Sequence, residues 1–274
     1  MMSTLSLYFS YPFVRYAFIC GVLTSMCAAL LGVTLVLRRY SFMGDGLSHV
    51  SFGALAVATV LSVNNDMVVV LPITIVTSIL LLSLSEKRKI KGDSLLAILS
   101  VSAMAIGYIL LNVFSTSANV AGDVCSSLFG STSILTLTKK DAIFAFVMTV
   151  IVIGLFLVIY NKVFSITFDE SFSKATGVNV RLTNIILAVI ISVVVVMSMK
   201  LVGALLTSAV IIFPALTSMR LFKSFKDVTI FSFILGLISS VIGIILSICI
   251  STPVGATIVA VDLIIYLAVC IVRR

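Results

Sequence analysis

An all-α bundle of membrane-spanning helices is the fold class this sequence predicts, and three observations predict it. The 274 residues are 61% hydrophobic and only 10% charged, with a mean hydropathy of +1.32. A soluble domain is about 45–50% apolar and about 25% charged. Apolar runs of spanning length recur along the whole chain, and the charged residues gather in short clusters between them. The longest non-spanning stretches, 115–141 and 161–182, leave no room for a sizeable soluble domain. Residues 1–274 therefore read as one transmembrane domain.

A hydrocarbon core of about 30 Å takes roughly 20 apolar residues per helix. On that measure the spans fall near 16–37, 44–63, 67–85, 94–114, 142–161, 183–199, 201–219, 228–250 and 255–272, within a range of about 8–10. The first is too long for a signal peptide and lacks a small-residue cleavage site. The 183–219 stretch is nearly continuous and reads as two helices joined at Met199-Lys200, or as a bent pair. Segment 115–138 is small, polar and interrupted by glycine. It reads as an external loop with a short helix, partly re-entrant, because irregular backbone at membrane depth must line a cavity or be buried in protein.

Lysine and arginine set the orientation. With the loop EKRKIKGD (86–93) in the cytoplasm, 14 of the 18 basic residues fall inside, and only Arg15, Lys139, Lys140 and Lys200 stay outside. The C-terminus is then cytoplasmic, and with nine spans the N-terminus is external. The net charge of +8 is explained by this bias, so no nucleic-acid partner is expected. Five scattered cysteines (Cys20, Cys27, Cys125, Cys249, Cys270) form no CxxC pair or disulfide framework and read as small buried residues.

Chemistry concentrates at one place. His49, the only histidine, follows Asp45 by four residues in GDGLSHVSFGALA. On a helix that spacing puts both side chains on one face. An acid and an imidazole within reach can hold a divalent cation or relay a proton. Ionisable groups inside a span are expensive and usually functional. The plainer reading is an N-capping aspartate and a structural histidine, and two ligands are too few for a closed zinc site, which takes four.

Other signals lie in the second half. Pro214 removes a backbone donor inside a span and is expected to bend it. After it, Met219 and RLFKSFKD (Arg220, Leu221, Phe222, Lys223, Ser224, Phe225, Lys226, Asp227) form a short basic amphipathic segment. It suits an interfacial helix or a docking helix for a cytoplasmic partner. In ITFDESFSKATGVNVRLTN, Asp169 and Ser171 are plausible N-caps for a short helix through Ala175, and Gly177 fits its stop.

Four stretches together resemble the membrane-spanning permeases of metal-ion ABC importers, in that family's order. They are LVLRRYSFMGDGLSHVSFGALA, FDESFSKATGVNV, KLVGALLTSAVIIFPALTSMRL and STPVGATIVAV. The resemblance implies an importer-like bundle of type II, in the cytoplasmic (inner) membrane of a prokaryote. It implies a permease homodimer around a central pathway, with two ATPase subunits on the cytoplasmic side and an extracellular metal-binding protein above. The cargo would be manganese, zinc or iron, a substrate rather than a permanent cofactor. Asp45 and His49 would be a transient ligand pair on its path. Met219–Asp227 would be the first candidate for coupling to the ATPase, with Phe168, Asp169 and Gly177 in the second.

ATP is expected on the partner chain, since no GxxxxGK[ST] loop occurs here, and no catalytic role is expected of this one. The alternatives are a secondary cation carrier, or a permease for a chelate such as a siderophore or vitamin. Asp123 and Asp262 could attract cations but read as ordinary polar contacts, and Lys200 as a boundary anchor. The chain departs from the family's pattern at Gly46, where many members carry alanine, and at Val50-Ser51-Phe52, where a proline is common. Glycine costs a helix about 1 kcal/mol relative to alanine, so the turn holding Asp45 is expected to unwind.

Overall fold

The computed structural model describes residues 8–87, 92–114, 124, 128, 130 and 137–273. Within them every expected span is a helix: α1 (Pro12–Leu37), α2 (Met43–Val60), α3 (Met67–Lys87), α4 (Gly92–Phe114), α5 (Lys139–Phe168), α7 (Val180–Val202), α8 (Ala204–Leu221), α9 (Phe225–Ile250) and α10 (Val254–Val272). A short helix, α6 (Glu170–Ala175), stands between α5 and α7. No strand occurs among the described residues. Among these helices α1, α4, α5, α7, α8, α9 and α10, seven in all, are long and apolar enough to cross a membrane by length and composition. Residues 88–91 of the basic loop, and Asp123 with most of segment 115–138, lie outside the described residues.

Helices α1 and α7 are the most deeply buried spans and form the centre. α8, α9 and α5 pack on α1, α3 packs on α7, and α2 lies against α4, α3 and α8. Without a hydrophobic force between helices in lipid, close approach depends on small residues and hydrogen bonds. At the α2–α4 contact a Cβ on Gly53 would stand 2.8 Å from the Ala103 carbonyl oxygen, and one on Gly107 would stand 3.0 Å from the Gly53 Cα. Hydroxyls tie α2, α3 and α7 together. Ser51 and Thr74 share a 3.0 Å hydrogen bond, and Ser192 donates to the Thr74 carbonyl at 3.3 Å. Ser78 donates to the Ala188 carbonyl at 3.2 Å.

The 183–219 stretch breaks at Gly203, not at Met199-Lys200. Gly203 has φ 93° and ψ 158°, a region essentially confined to glycine. It caps α7 by donating to the Met199 carbonyl at 3.0 Å and starts α8 in a new direction. Two other glycines press on this break. A Cβ on Gly130 would come within 2.7 Å of the Leu201 carbonyl oxygen, and one on Gly255 would strike the backbone of Val202. Lysine at 200 misled the expected joint: its ammonium instead reaches Asp141 at the start of α5, 3.8 Å away.

The 219–227 segment is likewise not a helix of its own. Met219, Arg220 and Leu221 are the last turn of α8, Phe222 is extended, and α9 begins at Phe225 after Ser224 in an extended conformation. Arg220 in the last turn and Asp227 in the first turn each suit the dipole of the helix they sit on. Those end signals outweigh the amphipathic pattern, and only Phe222, Lys223 and Ser224 remain as a connection. α8 is continuous through buried Pro214, whose carbonyl accepts from the Ser218 hydroxyl at 2.7 Å.

Gly203→Ala should lose about 1–3 kcal/mol from the strained backbone, read as a drop of several degrees in the thermal midpoint of the detergent-solubilised protein. Gly154 lies inside α5 with nothing within 4 Å of a built Cβ. Gly154→Ala should therefore leave the midpoint unchanged or raise it.

Candidate functional site

Asp45 and His49 lie on successive turns of α2. Asp45 is in the first turn, where a carboxylate is favoured by the helix dipole. Its Oδ2 stands 3.7 Å from His49 Nε2, too far for a hydrogen bond. The Asp45 side chain is 35% exposed and that of His49 8%. His49 Nδ1 is buried with no hydrogen-bond partner among the described residues. The expected unwinding at Gly46 does not occur. The Gly46 amide donates to the Phe42 carbonyl at 2.9 Å, and a Cβ there would stand 2.9 Å from Leu96 Cδ2. Glycine at this position serves the contact with α4, and packing overrides its helix penalty.

The pair is held by its neighbours. The Ser48 hydroxyl lies 2.7 Å from both the Asp45 carbonyl and the Ala204 carbonyl, joining α2 to the first residue of α8. A Cβ on Gly44 would stand 2.8 Å from Ile211 Cδ1. The first, third and fourth motif stretches therefore converge on the α7–α8 break. The pair therefore occupies the first two turns of α2, beside the α7–α8 break.

Beside His49 an open cleft of about 340 Å³ runs between α2 and α4. Phe52, Ser100, Met104 and Tyr108 line it. Ser100, Met104 and Tyr108 recur every four residues on α4, a helical row that carries a hydroxyl, a thioether and a phenol. Sequence reasoning passed over this row, although its spacing was readable. No group of three or more His, Cys, Asp or Glu side chains able to hold a metal ion forms among the described residues. Oxygen and imidazole donors suit manganese, iron and zinc alike, and two of them bind weakly compared with a closed four-ligand site.

The two expected coupling segments meet each other. Asp169 caps α6 by accepting from the Phe172 amide at 2.8 Å, and Gly177 ends it with φ 85°. Ser173 is buried and pairs with Ser165 at 2.6 Å, fixing α6 to the end of α5. The Phe168 ring packs on Phe225 at 6.2 Å and on Phe164 at 5.0 Å. Phe172 projects from α6 and is largely exposed. Asp262 on α10 is fully buried, with the Ser239 hydroxyl of α9 beside its carboxylate.

Residues 10–273 match the ABC 3 transport family. The chain belongs to that family. This ABC 3 family chain is 27% identical over 243 residues to the high-affinity zinc uptake system membrane protein ZnuB of Haemophilus influenzae, spanning 89% of this chain and 91% of that one. It is 26% identical over 256 residues to the manganese transport system membrane protein MntC of Listeria monocytogenes, spanning 93% and 89%. Among solved structures, PsaBC from Streptococcus pneumoniae in complex with Fab superposes with a TM-score of 0.85 at 25% identity, covering 98% of this chain and 95% of that one. The resemblance carried by the four motif stretches is borne out, as is the all-α membrane bundle.

If His49 were a structural residue, replacing it would cost stability. An imidazole with an unpartnered nitrogen and a 3.7 Å contact to its neighbour contributes little to folding. An apolar group of similar size in its place can be neutral or stabilising. His49→Leu should therefore keep or raise the thermal midpoint, whereas Ser48→Ala should lower it by about 1 kcal/mol equivalent. Thermal unfolding in detergent reads both.

Proposed function

We propose that this chain is the permease subunit of an ABC importer that moves a divalent transition-metal ion, manganese, zinc or iron, across the cytoplasmic membrane by alternating access. The observation that carries the reading is the Asp45–His49 pair, a hard and a borderline ligand on one face of α2, beside the α7–α8 break in a bundle of the ABC 3 family. Relatives named for zinc and for manganese uptake support a bare cation as cargo. A transit site must release what it binds. Two protein ligands with space for water, or for the same pair from a second permease, meet that requirement better than a closed four-ligand site.

The working unit is a permease homodimer with two ATPase subunits on the cytoplasmic side and an extracellular binding protein that delivers the ion. ATP binds and is hydrolysed on the partner, so this chain supplies the path and the coupling surface. The cytoplasmic C-terminus rests on the lysine and arginine distribution. α6 is the better coupling element: it is a separate, capped helix with an exposed Phe172. The Phe168–Phe225 contact ties the end of α5, on which α6 rests through Ser173, to the start of α9. Motion of α6 is thereby transmitted to α5 and α9 together.

Asp45→Ala and His49→Ala should each reduce metal uptake by cells at least about tenfold, the scale seen when even a supporting partner of a metal ligand is lost. Expression and co-purification with the ATPase should stay at wild-type levels. Wild-type uptake by both variants would sink the site. In a separate pull-down, Asp169→Ala with Phe172→Ala should weaken ATPase capture through loss of the cap, about 1 kcal/mol, and of the docking ring. Phe222→Ala should have the smaller effect, and the reverse order would return the coupling role to the α8–α9 connection.

A further inference from the structure

A second concavity lies well away from the Asp45–His49 pair. It is a groove of about 330 Å³ between α1, α5 and α9, walled by Leu30, Phe156, Tyr160, Ile230 and Phe233, with Lys226 at one end. The volume falls within the range of small-molecule sites. Its sides belong to the outer surface of the bundle. Ile230, Ile234, Ile238 and Ile242 form an exposed row along α9, and Leu157 and Val158 are exposed on α5. From Lys226 to Phe233 the groove follows α9 for about 10 Å at 1.5 Å per residue.

The charge is placed at one end only. Lys226 is in the first turn of α9, and Lys223 in the preceding connection is exposed nearby in the chain. Asp227 is the acid next to them, beside Tyr160. Lysine and arginine counts put this end on the cytoplasmic side. Anionic lipids of that leaflet attract basic residues close to the surface. A long apolar trough capped by an ammonium fits an acyl chain with a phosphate at its head.

We propose that this groove holds one anionic phospholipid of the cytoplasmic leaflet, its acyl chain along α5 and α9 and its phosphate at Lys226. The proposal is independent of the metal path. It places a lipid directly behind the Phe164–Phe168–Phe225 cluster, so bound lipid braces the helix ends to which α6 is attached.

The test is native mass spectrometry of the whole transporter, incubated in detergent with equal amounts of phosphatidylglycerol and phosphatidylcholine. Wild type should retain phosphatidylglycerol about fivefold over phosphatidylcholine, the ratio one basic residue near the surface provides. Lys226→Gln should abolish that preference, and Ile230→Trp, which fills the groove, should abolish retention of both. Equal retention of the two lipids by wild type would overturn the proposal. So would an Ile230→Trp protein that keeps its lipid but loses its permease or ATPase partner, because the groove would then be a protein interface.

Discussion

The break between α7 and α8 at Gly203 is the constraint on which the rest of the bundle depends. The break is packed closely by protein: the Ser48 hydroxyl reaches the Ala204 carbonyl, and Gly130 and Gly255 bring two further stretches of backbone against residues 201–203. Three separated parts of the chain meet at one point, and α2 is among them. A residue other than glycine at 203 could not hold φ 93° without strain.

Because Ser48 packs on that break, its neighbours Asp45 and His49 are held beside it. Some hydroxyls of α2 and α7 are satisfied across helices, as Ser51 is with Thr74 and Ser192 with the Thr74 carbonyl, while Ser198 on α7 is buried without a partner among the described residues. His49 keeps a nitrogen without a partner, and its distance to Asp45 leaves both free to accept something between them. A buried nitrogen left without a partner calls for an explanation, and the proposed passage of a cation supplies one.

Much of this was legible in the sequence. Apolar runs placed the nine long helices of the described residues, seven of them long and apolar enough to cross a membrane. Asp169 and Gly177 bounded α6 correctly, since caps act locally. What failed was decided by distant partners. Gly46 reads as a weak point in the helix until Leu96 is seen against it. Lys200 marks a joint until Asp141 is found beside it. The basic run 219–227 reads as one amphipathic helix, yet its own end signals, Arg220 and Asp227, belong to two different helices. The row Ser100, Met104 and Tyr108 was visible as a spacing, but only its position beside His49 gives it meaning.

The central claim is that the Asp45–His49 pair touches the ion in transit. Anomalous diffraction from crystals of the assembled transporter soaked in zinc would test it most directly. The account predicts an anomalous peak between the two side chains, at about 2.0–2.2 Å from an Asp45 carboxylate oxygen and from a His49 ring nitrogen. That peak should vanish in His49→Ala. A peak confined to the binding protein, or one inside the bundle that ignores α2, would contradict it.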